Sequence, residues 1–174
     1  MTDYQSAIVE RGRGGYGGPL TITSGYRNPE YNASVGGVSS SRHQYGDAAD
    51  LDASGWSVED LGDVCYDEGA SYVGLYEDGH THCDWRDHTL DPAFYGSAGG
   101  PPVPQETITL RCSAGLCSAP AEGFDEGEPF RRWWALDADG RTIVTETGRN
   151  FVAPAGAVRI RVRVGGRVEV EAGA

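Results

Sequence analysis

Ser41-Arg-His-Gln-Tyr-Gly-Asp-Ala-Ala-Asp50 is the stretch on which the reading of this chain turns. Its pattern is Ser41-x-His43-x-x-Gly46-x-Ala48-x-Asp50. A histidine and an aspartate at this spacing can meet at one metal ion if the chain folds back between them. Gly46 permits the turn, and Ala48 lets two backbones approach closely. Imidazole and carboxylate are both good zinc ligands, but two ligands do not make a site. Further candidates stand in Gly79-His80-Thr81-His82-Cys83-Asp84. On a strand, His80, His82 and Asp84 share one face, while Thr81, Cys83 and Trp85 point the other way, toward a core. Three polar, metal-competent groups on one strand face are hard to explain as packing.

Working outward, Leu20 to Thr23 alternates and is rich in β-branched residues, which predicts a short strand. It runs into the turn-rich Ser24-Gly-Tyr-Arg-Asn-Pro29, which presents Arg27. Pro29 to Asn32 and Val35 to Gly37 read as irregular loop, and Ala48 to Leu51 as a second strand carrying Asp50. A helix is expected over Ser57 to Gly69. Ser57 is a good N-cap with Asp60 three residues on, Val58, Leu61, Val64 and Cys65 form an apolar stripe, and Gly69 is a stop. Strands follow at Ser71 to Tyr76 and His80 to Trp85, joined by the turn Glu77-Asp-Gly79. Before all this, Tyr4 to Glu10 reads as one or two helical turns leading into the glycine-rich RGRGGYGGP.

Residues 96–104, GSAGGPPVP, are a linker by composition. They divide the chain into an expected first domain, 1–95, and a small β module, 105–174. The first is expected to fold and hydrolyse small peptides without the second. In the module, Thr107 to Cys112 and Phe130 to Leu136 read as strands, and Asp137-Ala-Asp-Gly140 is a hairpin signal returning through Thr142 to Thr145. The last hairpin can be read in register. A three-residue loop, Gly165 to Arg167, pairs Val164 with Val168, Arg163 with Glu169 and Arg161 with Glu171, leaving one apolar face and one charge-matched face. The arginine run is then a solvated strand face. Trp133 and Trp134 put one ring on each face, one for the core and the other open to a packing or a ligand-platform role.

The chain has 174 residues and a formal net charge of −12. Residues 1–95 carry 16 acids against 5 arginines, and residues 105–174 carry 10 acids against 9 arginines. Lysine is absent, and no basic cluster is present to neutralise phosphates, so nucleic acid is not an expected partner. The acidity reads as solubility or salt adaptation. No run of about 18 apolar residues predicts a membrane span. The start, MTDYQSAIVERGRGG, lacks the apolar segment of a secretory leader. A cytoplasmic protein, a phage-type lysin, another export route and a chain already stripped of its leader all stay open. The four cysteines, Cys65, Cys83, Cys112 and Cys117, are too few for a disulfide scaffold and lack zinc-site spacing. Cys112 and Cys117 could close a short loop in an oxidising compartment; buried free thiols fit equally well.

Taken together, SGYR-x-P-x-x-N-x-x-VGG, then S-x-H-x-x-G-x-A-x-D, then H-x-H resemble the zinc D-alanyl-D-alanine carboxypeptidases and their endopeptidase relatives, which share a fold with the hedgehog signalling domain. The resemblance covers residues 19 to 86. It implies an α+β zinc domain of hedgehog/DD-peptidase type with a small antiparallel sheet, here followed by a small all-β module. It further implies Zn2+ held by His43, Asp50 and His82. His80 would act on the attacking water or the oxyanion, and Arg27 would bind a substrate carboxylate or polarise the scissile carbonyl. The implied substrate is a peptidoglycan stem peptide, the implied setting extracytoplasmic or phage-lysin-like, and the expected state a monomer.

Many relatives carry a carboxylate three residues before the last ligand; here that position is Gly79. His80 is therefore the first candidate for general base, followed by Glu77, Asp78 and Asp84. Other readings stay open: an inactive zinc-binding cell-wall or partner module, a structural zinc taking Asp84 or Cys83 as fourth ligand, or no metal at all.

Overall fold

The computed structural model describes residues 20–87, 106–124, 126–166 and 168–174. The expected helical turns at Tyr4 to Glu10, the glycine-rich loop after them and the 96–104 linker lie outside these residues. The chain divides into two compact units, Met1–Val103 with Asp125–Glu128, and Pro104–Phe124 with Pro129–Ala174. The boundary expected at residue 95 therefore leaves out a short later segment that belongs to the first unit.

In the first unit, β1 (Thr21–Ser24) leads to α1 (Pro29–Ser34). This helix corrects the irregular loop expected there. Asn28 caps it by accepting from the Tyr31 N–H at 2.8 Å, and Pro29 occupies the first turn, where its missing N–H costs nothing. A 3-10 turn over Arg42–Tyr45 ends at Gly46, whose φ of 74° reverses the chain into β2 (Ala48–Asp52), as the sequence led one to expect. Helix α2 (Val58–Asp67) carries the expected capping box between Ser57 and Asp60 and buries Leu61, Val64 and Cys65. Strands β3 (Tyr72–Leu75) and β4 (Thr81–Asp84) follow.

These strands form one sheet in the order β1-β2-β4-β3, extended by the two-residue strand Glu128–Pro129 beside β3. β2 pairs antiparallel with β4, and Asp50 stands directly opposite His82. α2 covers the opposite face, over β3 and β4. There Cys83 bonds to Cys65 of α2, and Trp85 is fully buried. The alternation read from the sequence thus holds, with Cys83 on the core side and His82 on the other. The cysteines here are a disulfide, not free thiols.

The second unit is all β: β5 (Thr107–Ile108), β6 (Arg111–Ser113), β7 (Leu116–Ser118), β8 (Ala121–Glu122), then, after β9 (Glu128–Pro129) of the first sheet, β10 (Arg131–Leu136), β11 (Thr142–Thr147), β12 (Asn150–Val152), β13 (Arg159–Val164) and β14 (Val168–Gly173). The single strand expected over Thr107 to Cys112 is split, because β5 pairs with β8 whereas β6 pairs with β7. A four-stranded sheet, β11-β10-β13-β14, and a three-stranded one, β12-β7-β6, supply a shared core of Trp133, Ala135, Ile160, Val162 and Val164 with Cys117 and Phe151. Trp133 stacks on Phe151 at 5.6 Å, so of the tryptophan pair it is the core ring, while Trp134 is half-buried. Cys112 and Cys117 are opposed on β6 and β7 and bonded. The last hairpin has the expected register: Val164 faces Val168, Arg163 faces Glu169 and Arg161 faces Glu171.

Candidate metal centre

Three elements converge on the open face of the first sheet. His43 comes from the 3-10 turn, Asp50 from β2 and His82 from β4. Because Asp50 and His82 are register partners, the ladder itself sets their separation. His43 Nδ1 lies 2.6 Å from the Gly25 carbonyl and donates to it, which leaves Nε2 with its lone pair facing inward. His43 Nε2 is 3.0 Å from Asp50 Oδ1 and 3.1 Å from His82 Nδ1, and that nitrogen is 3.0 Å from the same Asp50 oxygen. All three side chains are buried.

Three acceptor atoms so close repel one another unless a proton or cation lies among them. Zinc bonds of about 2.0–2.1 Å in a tetrahedron separate ligand atoms by roughly 3.3 Å, so this donor set fits that ion. Two imidazoles and one carboxylate also leave a coordination position toward a cavity of about 360 Å³, lined in part by Arg27, Val38, Tyr76 and His80.

Behind the three atoms lies a charged network. Arg27 Nη2 pairs with Asp50 Oδ2, and its Nε donates to Ser24 Oγ at 2.7 Å. His82 Nε2 faces two carboxylates, Asp84 Oδ2 at 3.2 Å and Glu126 Oε2 at 3.1 Å. Arg86 grips Asp84 through Nε, at 2.8 and 3.0 Å, and through Nη2. Burial alone would raise the Asp50 carboxyl, yet hydrogen bonds and charge from His43 and His82 hold it far below the usual carboxylate range. Burial would likewise lower His82; the charge of Glu126 and hydrogen bonds with Asp50, Asp84 and Glu126 outweigh it and hold the imidazole well above its ordinary value. Glu126 is depressed to about 2: burial opposes the shift, and the charge and hydrogen bond of His82 and the Ser41 hydroxyl win.

His80 precedes β4 and lines the cavity. Its Nδ1 lies 2.6 Å from Asp78 Oδ1, and its ring stacks on Tyr76 at 4.1 Å. That leaves Nε2 as the ring nitrogen open to chemistry. Burial pushes the Tyr76 hydroxyl up to about 12, so it stays a donor at neutral pH. The other candidates for base fall elsewhere. Asp78 is bonded to His80 and acts on that ring. Glu77 is exposed and is not among the cavity-lining residues. Asp84 is fully buried on the far nitrogen of His82 and held by Arg86, so it has no route to a substrate. Gly79 offers no side chain.

Residues 4–84 match the peptidase M15 family. The match bears out the resemblance read from the three motifs. A stretch of 35 residues is 54% identical to the zinc D-Ala-D-Ala carboxypeptidase of Streptomyces albus G, covering 20% of this chain and 14% of that protein. No solved structure matches the chain significantly.

Relative to the M15 motifs, two features come from the structure. Asn32 is buried beneath the loop that walls the cavity: its Nδ2 donates to the Val38 carbonyl at 2.9 Å, and Gly37 N–H donates to its backbone carbonyl at 2.9 Å. This accounts for an asparagine followed by Val35-Gly-Gly37. Glu126, by contrast, was not anticipated. It lies 85 residues beyond Ser41, after the compositional linker, in a run of acids and glycines with no pattern of its own.

Proposed function

We propose that the chain is a zinc metallopeptidase of DD-peptidase type that hydrolyses peptidoglycan stem peptides, as a D-Ala-D-Ala carboxypeptidase or an endolysin-like endopeptidase. The observation that carries this reading is the convergence of His43, Asp50 and His82 within 3.1 Å of one another at the floor of a cavity. When bound, zinc supplies Lewis acidity toward water and toward a carbonyl oxygen. The chain's own residues supply the rest. His80, oriented by Asp78 and Tyr76, moves a proton at Nε2 or donates to the oxygen that gains negative charge. Arg27 holds the outer oxygen of Asp50 and lends positive charge to the same wall. Val35 to Val38 line the same cavity. The two disulfides, which use all four cysteines, support an oxidising, extracytoplasmic setting.

Purified peptidoglycan digested with the protein, with and without a chelator, and read by mass spectrometry tests the proposal. Loss of a terminal D-Ala defines a carboxypeptidase, and a cut within the stem or cross-link defines an endopeptidase. Gly79 in place of a carboxylate favours a second reading, a zinc-binding wall module without activity. Zinc uptake with no product from any peptidoglycan would establish that one.

A further inference from the structure

We infer that Glu126 is a positioning residue of the metal centre, holding the His82 ring so that Nδ1 faces His43 and Asp50. The inference rests on the zinc reading above. Glu126 is a carboxylate with only 5% of its surface exposed, and a buried charge is costly unless its oxygens are used. Both are used at the centre. Oε2 faces His82 Nε2 at 3.1 Å, and Oε1 accepts from Ser41 Oγ at 2.6 Å. One carboxylate therefore braces the β4 ligand against the segment that delivers His43. With Asp84, it makes Nε2 the protonated nitrogen and disfavours a flipped ring, leaving Nδ1 as the donor atom.

The backbone is shaped to bring this residue in. Tyr72 Oη donates to the Glu126 carbonyl at 2.9 Å, and a Cβ on Gly74 would lie 1.9 Å from that oxygen. Pairing with Arg86 does not explain the placement. The two groups stand 3.6 Å apart, while Arg86 is already clamped on Asp84. The metal centre thus depends on a residue that follows the linker in sequence.

The test uses the full chain with Glu126→Gln and Glu126→Ala. Zinc affinity is measured by competition with a chromophoric chelator, and ligand geometry by the visible spectrum of the cobalt(II) form. Glu126→Ala is expected to weaken zinc by roughly 10- to 100-fold and to alter the cobalt bands, as loss of outer partners of metal-bound histidines does. Glu126→Gln, which keeps the shape and loses the charge, should fall between. Wild-type zinc affinity and an unchanged cobalt spectrum in the Ala variant overturn the proposal. If that variant does not fold, wild-type affinity in the Gln variant overturns it. If the unaltered chain itself binds neither ion, the zinc reading has failed and takes this inference with it, an outcome the two variants are not needed to recognise.

Discussion

The buried cluster of the first unit and the last hairpin of the second treat charge in opposite ways. In the first, Asp50, Asp84, Glu126 and His82 are buried together, with Arg27 and Arg86 turned in upon them. In the second, Arg161 and Arg163 face Glu169 and Glu171 along a solvated hairpin. Desolvating an ion costs several kcal/mol, whereas exposed pairs return about 0–1 kcal/mol. The second arrangement is cheap, sets register and leaves the apolar face to carry stability. The first is expensive, and the proposed zinc chemistry gives a reason for it. Where buried charge converges on one point, the comparison says to look for function.

The sharpest way to break this contrast is His82→Ala. The expected outcome is loss of bound zinc, from one per chain to none, and of hydrolysis with it, measured by metal analysis and product formation. A zinc-replete, active variant would make the buried cluster merely structural. In the second unit the comparable blow is to packing. Phe151→Ala removes a buried ring stacked on Trp133 and should cost roughly 3–5 kcal/mol in that unit, read by denaturant unfolding, with zinc per chain unchanged.

Next in size is the division of labour around the cavity. His80→Ala should keep its zinc and lose about 100-fold in kcat. Arg27→Ala should act on more than KM, because its guanidinium is paired with Asp50: zinc affinity is expected to fall as well, in the same chelator competition. A pure KM effect would mean that its partner in turnover is the substrate alone.

A smaller effect should appear in pH dependence. Glu126 has an ordinary value of 4.5 and lies at about 2 in the fold, and Asp50 and Asp84 are also depressed, so their contribution is full above about pH 4.5 and is lost as pH falls toward 2. His82 runs the other way: held above its ordinary 6.5, its contribution is full below that pH and is lost as pH rises through the folded value. The zinc-free chain should therefore be most stable between about pH 4.5 and 6.5, and zinc should move the maximum upward by taking the proton's place on His82. Thermal midpoints from pH 4 to 8, with and without chelator, check this; coincident curves would show that zinc does not bind there. The smallest effect is expected from Arg163→Gln, which should leave the thermal midpoint nearly unchanged, as its ion pair with Glu169 is exposed.

Much of this protein was legible in the amino-acid sequence, because its cues are local. Ser57 and Asp60 announce the α2 capping box through spacing alone. The alternating valines and a three-residue loop set the last hairpin, since a strand's side chains repeat every two residues and a one-residue slip would turn one strand's valines toward the charged face. The spacing of His43 and Asp50 and the turn at Gly46 announced that these two side chains meet. Asn28 and Pro29 also form a local helix start, so the α1 signal was present and outweighed by the glycines that follow.

What lay outside the sequence's reach joins residues far apart along the chain. The Cys65–Cys83 bond, the pairing of Arg27 with Asp50 and the arrival of Glu126 behind His82 are all of this kind. Period, caps and turns are written in a few neighbouring residues. Which distant carboxylate shares a buried nitrogen is decided only when sheet and loops pack, because desolvation then forces each buried charge to find a partner among whatever the fold has brought near.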